Sequence, residues 1–260
     1  MIYVNGRYTL NVELCGIKEK EYKMANYIFH KAESRGDANH GWLHSKHSFS
    51  FAQYMNPERM NFGALRVLND DQVAAGMGFG AHPHNNMEII SIPLEGDLEH
   101  KDSMGNSGVI RQGDVQVMSA GTGITHSEYN ANSDKEVKFL QIWVIPAQGD
   151  VEPRYDQLTL NPNDRINKFQ QIISPGPTHN GLWIHQNAWF SLSQFDADFS
   201  KTYQFNSTET GLYVFNLKGE IEVDGKILAT RDAIGVTDAT SVEIRANQAS
   251  EFLLMEVAMR

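Results

Sequence analysis

A single cysteine, Cys15, stands in a chain of 260 residues. One thiol forms no intrachain disulfide and builds no cysteine-based zinc site, and such sparing use fits a reducing compartment. Basic charge is scarce as well: 22 Lys and Arg face 32 Asp and Glu, for a formal charge of −10. No basic cluster is long enough to follow a phosphate backbone, which argues against direct nucleic-acid binding but leaves contacts with other proteins open. No apolar run reaches the roughly 18–20 residues a membrane-spanning helix needs. The N-terminus lacks the basic-then-apolar order and the small-residue cleavage site of a secretory signal, so a cytoplasmic protein is expected. Helix signals are few and short, with Asn163–Phe169 good for a turn or two.

What is present is strand. At 41% hydrophobic residues the chain can bury a real core, and its length suits one large domain or two smaller ones. Segments such as Asn61–Leu68, Met87–Leu94, Val115–Met118 and Val137–Ile145 are rich in β-branched, aromatic and aliphatic residues. Turn signals separate them, among them Asn69-Asp70-Asp71, Glu95-Gly96-Asp97 and Gln112-Gly113-Asp114. A second block, with Leu212–Leu217, Ala233–Thr237 and Phe252–Val257, repeats the pattern around the hairpin signal Asp224-Gly225. Between the blocks, Pro146 to Pro177 holds five of the eight prolines. The stretch Glu88-Ile89-Ile90-Ser91-Ile92-Pro93-Leu94-Glu95-Gly96 is echoed in shape by Leu212 to Glu220. The chain therefore predicts an all-β fold of two tandem antiparallel barrels. The expected divisions are an N-terminal extension or disordered tail over 1–23, a first domain over 24–150, a linker over 151–169 and a second domain over 170–260.

The histidines carry the chemistry. In Gly80-Ala81-His82-Pro83-His84-Asn85-Asn86-Met87-Glu88, strand alternation would place His82, His84 and Glu88 on one face. About 44 residues on, behind Gly121-Thr122-Gly123, His126 and Glu128 again share a face. Three imidazoles with a carboxylate suit a first-row divalent metal; the plainer alternative is a set of hydrogen-bonded histidines in a polar cleft. Parity alone leaves the carboxylate open between Glu88 and Glu128. His40, His44 and His47 read as surface or pocket-lining residues, and His100 as part of a solvated strand face. Phe49, Phe51 and Met118 are candidates to line an apolar pocket for a flat aromatic ligand, with core packing the alternative for each.

These motifs also resemble a known family. Gly41-Trp42-Leu43, Ser48-Phe49-Ser50-Phe51-Ala52, Leu65-Arg66-Val67, His82-Pro83-His84, Leu94-Glu95-Gly96, His100 to Asn106, Gly113-Asp114-Val115-Gln116 and Ser119 to Glu128 together resemble the pirins. The closest likeness is to the bacterial pirin-like quercetin 2,3-dioxygenases. The resemblance implies a bicupin, with a metal held in the N-terminal cupin by His82, His84, His126 and Glu128. Iron(II) is the expected ion, with manganese, nickel, copper, cobalt or zinc as alternatives. Glu88 would then orient a histidine. The C-terminal cupin would lack metal, in keeping with its two isolated histidines, His179 and His185. The implied activity is cleavage of a flavonol such as quercetin by O2 with release of carbon monoxide, Glu128 doubling as the base. The alternative is a metal-dependent, redox-responsive regulator that acts through protein partners.

Overall fold

The computed structural model describes residues 24–259, together with the strands Ile2–Val4 and Arg7–Thr9, which pair with each other. The extension expected for residues 1–23 otherwise lies outside the described residues. Among those described, every regular element is a strand except two 3-10 turns, Ala32–Ser34 and Pro162–Arg165. The second is all that forms where Asn163–Phe169 was expected to coil; the Asn161 side chain caps it by accepting from the Asn163 amide. No helix among the described residues is long and apolar enough to cross a membrane.

The two barrels share one strand order, although the terminal pair Gln170–Ser174 and Leu182–Trp183 runs parallel where Leu43–His47 and Gly36–Asn39 run antiparallel. The large sheet of the first runs Arg154–Thr159, Asp114–Ser119, Glu88–Glu95, Val137–Val144, Leu65–Val73, Leu43–His47, Gly36–Asn39. Its counterpart runs Asn26–His30, Ala233–Thr237, Thr210–Lys218, Ser250–Ala258, Ala188–Phe195, Gln170–Ser174, Leu182–Trp183. The two echoing sequence stretches hold the same third place in each sheet. A four-stranded sheet closes each barrel: Gly78–His84, Ile124–Asn130, Leu98–Asp102 and Ser107–Ile110 in the first, and Ser200–Gln204, Ser241–Ala246, Ile221–Val223 and Lys226–Leu228 in the second.

The edge strands do not follow the expected divisions. Arg154–Thr159, within the stretch read as linker, pairs with Asp114–Ser119 and so belongs to the first barrel. Asn26–His30, at the start of the stretch read as the first domain, pairs with Ala233–Thr237 in the second. Each covers a strand edge that would otherwise present unpaired amides. A further correction concerns Asn69-Asp70-Asp71, read as a turn, which lies inside the strand Leu65–Val73. Tertiary partners overrule the local signal: Asp70 is paired with Arg35 at 3.2 Å and Arg231 at 2.9 Å, and Asp71 accepts from the Ser45 hydroxyl.

The large sheets present apolar residues to each other. Leu68, Ile90, Ile92, Leu140 and Ile142 of the first share one core with Phe190, Tyr213, Phe215, Leu253 and Met255 of the second. The barrel interiors differ. The second is filled by Phe195, Tyr203, Leu212, Val214, Phe252 and their neighbours. In the first, apolar clusters occupy separate places, Leu43, Val73, Leu98 and Phe139 in one and Ile89, Met118 and Ile124 in another. Directly opposed residues in an antiparallel sheet share a face. A row of them, His47, Asn69, Gln141, Ser91 and Gln116, crosses five strands of the large sheet, and all five are buried.

Candidate metal centre

The first barrel's small sheet supplies the candidate ligands. On Ile124–Asn130, side chains alternate, so His126, Glu128 and Asn130 turn inward and are buried. On Leu98–Asp102, Leu98 and His100 turn inward and are buried, and Asp102 follows on the same face, opposite His126. The Gly78–His84 strand does not alternate simply. His126 pairs with His82 but Glu128 pairs with Phe79, so Gly80 and Ala81 together oppose Ser127 in a β-bulge. Phe79, His82 and His84 are thereby partly buried, while Gly80 and Ala81 are both exposed. Two glycines are sterically required nearby. A Cβ on Gly78 would meet the Glu128 carbonyl oxygen at 2.3 Å, and one on Gly121, at φ +49°, would meet the Val151 carbonyl oxygen at 2.0 Å. Gly80 has open space instead, so its place in the motif follows from the bulge and not from crowding.

The three imidazoles converge. Ring centroids lie 4.9 Å apart for His82 and His84, 4.4 Å for His82 and His126, and 5.0 Å for His84 and His126. Each offers a nitrogen within 4.8 Å of the others, and His100, His126 and Glu128 make a second such group sharing His126. His82 Nδ1 sits 2.8 Å from the Gly80 carbonyl, to which it donates as the Nδ1–H tautomer, leaving Nε2 as a lone pair. His84 Nε2 and both nitrogens of His126 are buried without a hydrogen-bond partner. Burial, with His82 beside it, pushes the His84 pKa down to about 4, and the same causes lower that of His126. Neutral imidazoles with unpartnered nitrogens are what a transition-metal cation requires, so the donor set fits one.

Glu128 is buried and held at both oxygens. Ser91 donates to Oε1 at 2.9 Å and Gln141 Nε2 to Oε2 at 2.6 Å, tying the carboxylate to the polar row of the facing sheet. Burial pushes its pKa up to about 7 against the pull of those bonds. Asp71, also buried, is raised to about 7 for the same first reason.

Glu88 stands elsewhere. Its carboxylate accepts from Ser119 Oγ at 2.6 Å and contacts His185 Nδ1 at 3.2 Å. The parity reading that put it beside His82 and His84 fails because Asn85 to Met87 lie between two separate strands, one in each sheet of the barrel. The histidine it touches is one of the second barrel's.

Other expectations divide. A cavity of ≈ 690 Å³ opens beside the histidines, lined by His82, Glu128, Gln141 and Trp143 and, farther along, by Phe51, His40 and His47. Phe51 is one of the residues that line this cavity. Phe49 is not: it faces the core between the barrels, 5.4 Å from Tyr213. Met118 packs with Ile89, Ala120 and Ile124 and does not line the cavity. His44 is half-buried and paired with Asp37 at 2.8 Å. His100, expected in solvent, is fully buried, with Nε2 3.2 Å from Asp102 and its ring 5.3 Å from that of His126. Gln141 and Ser91 carried no site expectation, and Asp71 was expected only in a turn. The available signal for the first two was a lone polar residue in an apolar strand, VKFLQIWV and EIISIPLE.

The sequence matches the pirin family over residues 28–144 and the quercetinase C-terminal cupin domain over 171–257. It is 41% identical over 227 residues to a quercetin 2,3-dioxygenase of Escherichia coli K12, covering 87% of this chain and 96% of that one. The chain belongs to the pirin family. A pirin-like protein of Caulobacter vibrioides is 39% identical over 224 residues, covering 86% of this chain and 96% of its own. In three dimensions this pirin is similar to the bacterial pirin YhhW from Escherichia coli, solved in complex with nickel(II), with TM-score 0.85 and 39% identity over 90% of this chain and 99% of that one. It is a bicupin, and its His/Glu cluster is one that could hold a metal.

Proposed function

We propose that this pirin is a metal-dependent dioxygenase that opens a flavonol such as quercetin with O2 and releases carbon monoxide. The observation that carries the reading is the convergence of His82, His84 and His126, with buried unpartnered nitrogens on the last two, beside a ≈ 690 Å³ cavity lined by His82, Trp143 and Phe51. Relatives named quercetin 2,3-dioxygenase at about 40% identity support it.

In this reading His82, His84, His126 and Glu128 hold the ion, iron(II) foremost, with manganese, nickel, copper, cobalt and zinc as the alternatives an imidazole-rich site accepts. When bound, the ion would supply Lewis acidity toward a substrate hydroxyl and, for every candidate but zinc, a redox couple for reaction with oxygen. The chain does the rest. Trp143 and Phe51 take the flat rings and exclude water. Glu128 accepts the proton of the 3-hydroxyl, and Ser91 and Gln141 keep its carboxylate from swinging away. The two bonds that tie the hydroxyl-bearing carbon into the ring break and that carbon leaves as carbon monoxide. Both atoms of O2 stay in the ester product, so the reaction is balanced without another reductant. Protein loaded anaerobically with each of these metals is then given quercetin and O2. Loss of quercetin matched by carbon monoxide supports the reading, and absence of both with every metal removes it.

A further inference from the structure

The cavity has a second polar end. Away from the three histidines, the pleat of the large sheet turns His47 and its directly opposed neighbour Asn69 into the same space. Both are more than nine-tenths buried, at 3% and 2% exposure, yet His47 Nδ1 and Asn69 Oδ1 have no partner. Trp143 Nε1, on the wall between, is also unpartnered. Leaving a buried polar atom unbonded costs about 1–3 kcal/mol, so three of them on residues that line one cavity mark a place where hydrogen-bonding groups would be satisfied.

The route between the ends is aromatic. Trp143 lies 4.9 Å from the His84 ring, Phe51 5.4 Å from Trp143 and His47 5.2 Å from Phe51, each pair edge to face. A planar aromatic ligand that reaches the histidines with one polar edge is therefore led along rings toward His47 and Asn69 with the other. One end offers an imidazole nitrogen, which donates or accepts, and an amide oxygen, which accepts. Aromatic hydroxyls satisfy both; a bare phenyl ring would leave both unpaired.

We propose that His47 and Asn69 form a specificity subsite that reads hydroxyl groups on the part of the substrate remote from the metal-binding histidines, so that this pirin selects polyhydroxylated aromatics over otherwise bare ones. The inference rests on the reading that an aromatic substrate docks at those histidines. Sites that hydrogen-bond a substrate hydroxyl reject analogues lacking it, because their own groups then stay unpaired.

The test is equilibrium binding to zinc-loaded protein under argon, which separates recognition from turnover. Quercetin is compared with 3-hydroxyflavone, which keeps the hydroxyl expected at the histidines and lacks the others, by quenching of tryptophan fluorescence. The wild-type protein is expected to favour quercetin by about tenfold or more. His47→Phe and Asn69→Leu should each cut that preference at least threefold while 3-hydroxyflavone binds within about threefold of its wild-type affinity. His47→Gln, which keeps a hydrogen-bonding head, should retain more of the preference than His47→Phe. A wild-type ratio near one, failure of both flavonols to bind, or an undiminished ratio in variants that keep wild-type circular dichroism and zinc content overturns the proposal. Should His47→Phe not fold, the wild-type ratio and Asn69→Leu still decide. Selective binding without turnover under any metal sinks the oxygenase reading and leaves this one standing; turnover without selectivity does the reverse.

Discussion

Two buried glutamates differ in what surrounds them. Glu128 sits among His126, Ser91 and Gln141, whereas Glu88 bridges Ser119 to His185 of the second barrel. Glu128→Gln is expected to lower bound metal by tenfold or more at limiting metal, and Glu88→Gln to leave metal stoichiometry at the wild-type level. The second change should instead lower stability by about 1–3 kcal/mol through lost charge-assisted bonds. Elemental analysis beside urea denaturation separates the two. His30 gives the pH dependence. It is buried, 2.8 Å from the Tyr213 hydroxyl, and burial with Arg59 nearby takes its pKa from 6.5 down to about 4. Between those values the unfolded chain binds a proton that the folded chain refuses, so this contribution is full above pH 6.5 and is lost as pH falls toward 4. His30→Gln should flatten the acid slope of stability across that window, by at most about 3 kcal/mol. An unchanged slope in a pH series of urea midpoints would show that His30 carries none of it.

At the level of elements, the bulge at Gly80 and Ala81 is what lets Phe79 and His82 face the same interior. Deleting Ala81 leaves Gly80 alone opposite Ser127 and puts Phe79 and His82 two residues apart, so simple alternation keeps both facing inward. The deletion should therefore keep stoichiometric metal binding, read by elemental analysis, and a loss of metal would show that the bulge itself, and not the facing of the side chains alone, sets the site. The borrowed edge strand gives a second expectation. Asn26–His30 covers Ala233–Thr237, and Tyr27 and Phe29 pack against the second barrel's interior. Removing residues 1–30 uncovers that edge and that core, so the truncated chain is expected to melt several degrees lower and to aggregate, read by differential scanning calorimetry and light scattering.

Across the whole molecule, the two barrels are one folding unit in their packing. Phe190 of the second barrel lies in a core shared with Ile90 and Leu140 of the first. Phe190→Ala is expected to cost about 3–5 kcal/mol and to shift a single calorimetric transition, with metal loss from the first barrel following the same curve. Two separated transitions would show the barrels to be independent. The barrels differ in their fillings: the second is mainly apolar around buried Glu256, which accepts from Tyr203 and Thr210, and the first is crossed by His47, Asn69, Gln141, Ser91 and Gln116.

Much of this was legible in the chain. Alternating apolar strands broken by turn residues specify an all-β molecule, because burial of one sheet face requires that period. The recurrence of the pattern after the proline-rich stretch specifies two barrels, and His-x-His with His-x-Glu specifies which side chains could meet a metal. The limits of each barrel were not legible, since Asn26–His30 and Arg154–Thr159 find their sheets through pairing with strands far along the chain. Nor was the strand through Asn69-Asp70-Asp71, whose local chemistry says turn and whose distant partners Arg35, Arg231 and Ser45 say otherwise. Sequence by itself determined the fold class and offered His82, His84 and His126 together with two carboxylates. Only the tertiary structure decided that Glu128 and not Glu88 joins the polar interior, that His100 is buried, and that His47 and Asn69 face the cavity. Parity is a property of one strand, whereas burial and partnership belong to the sheets that pack around it.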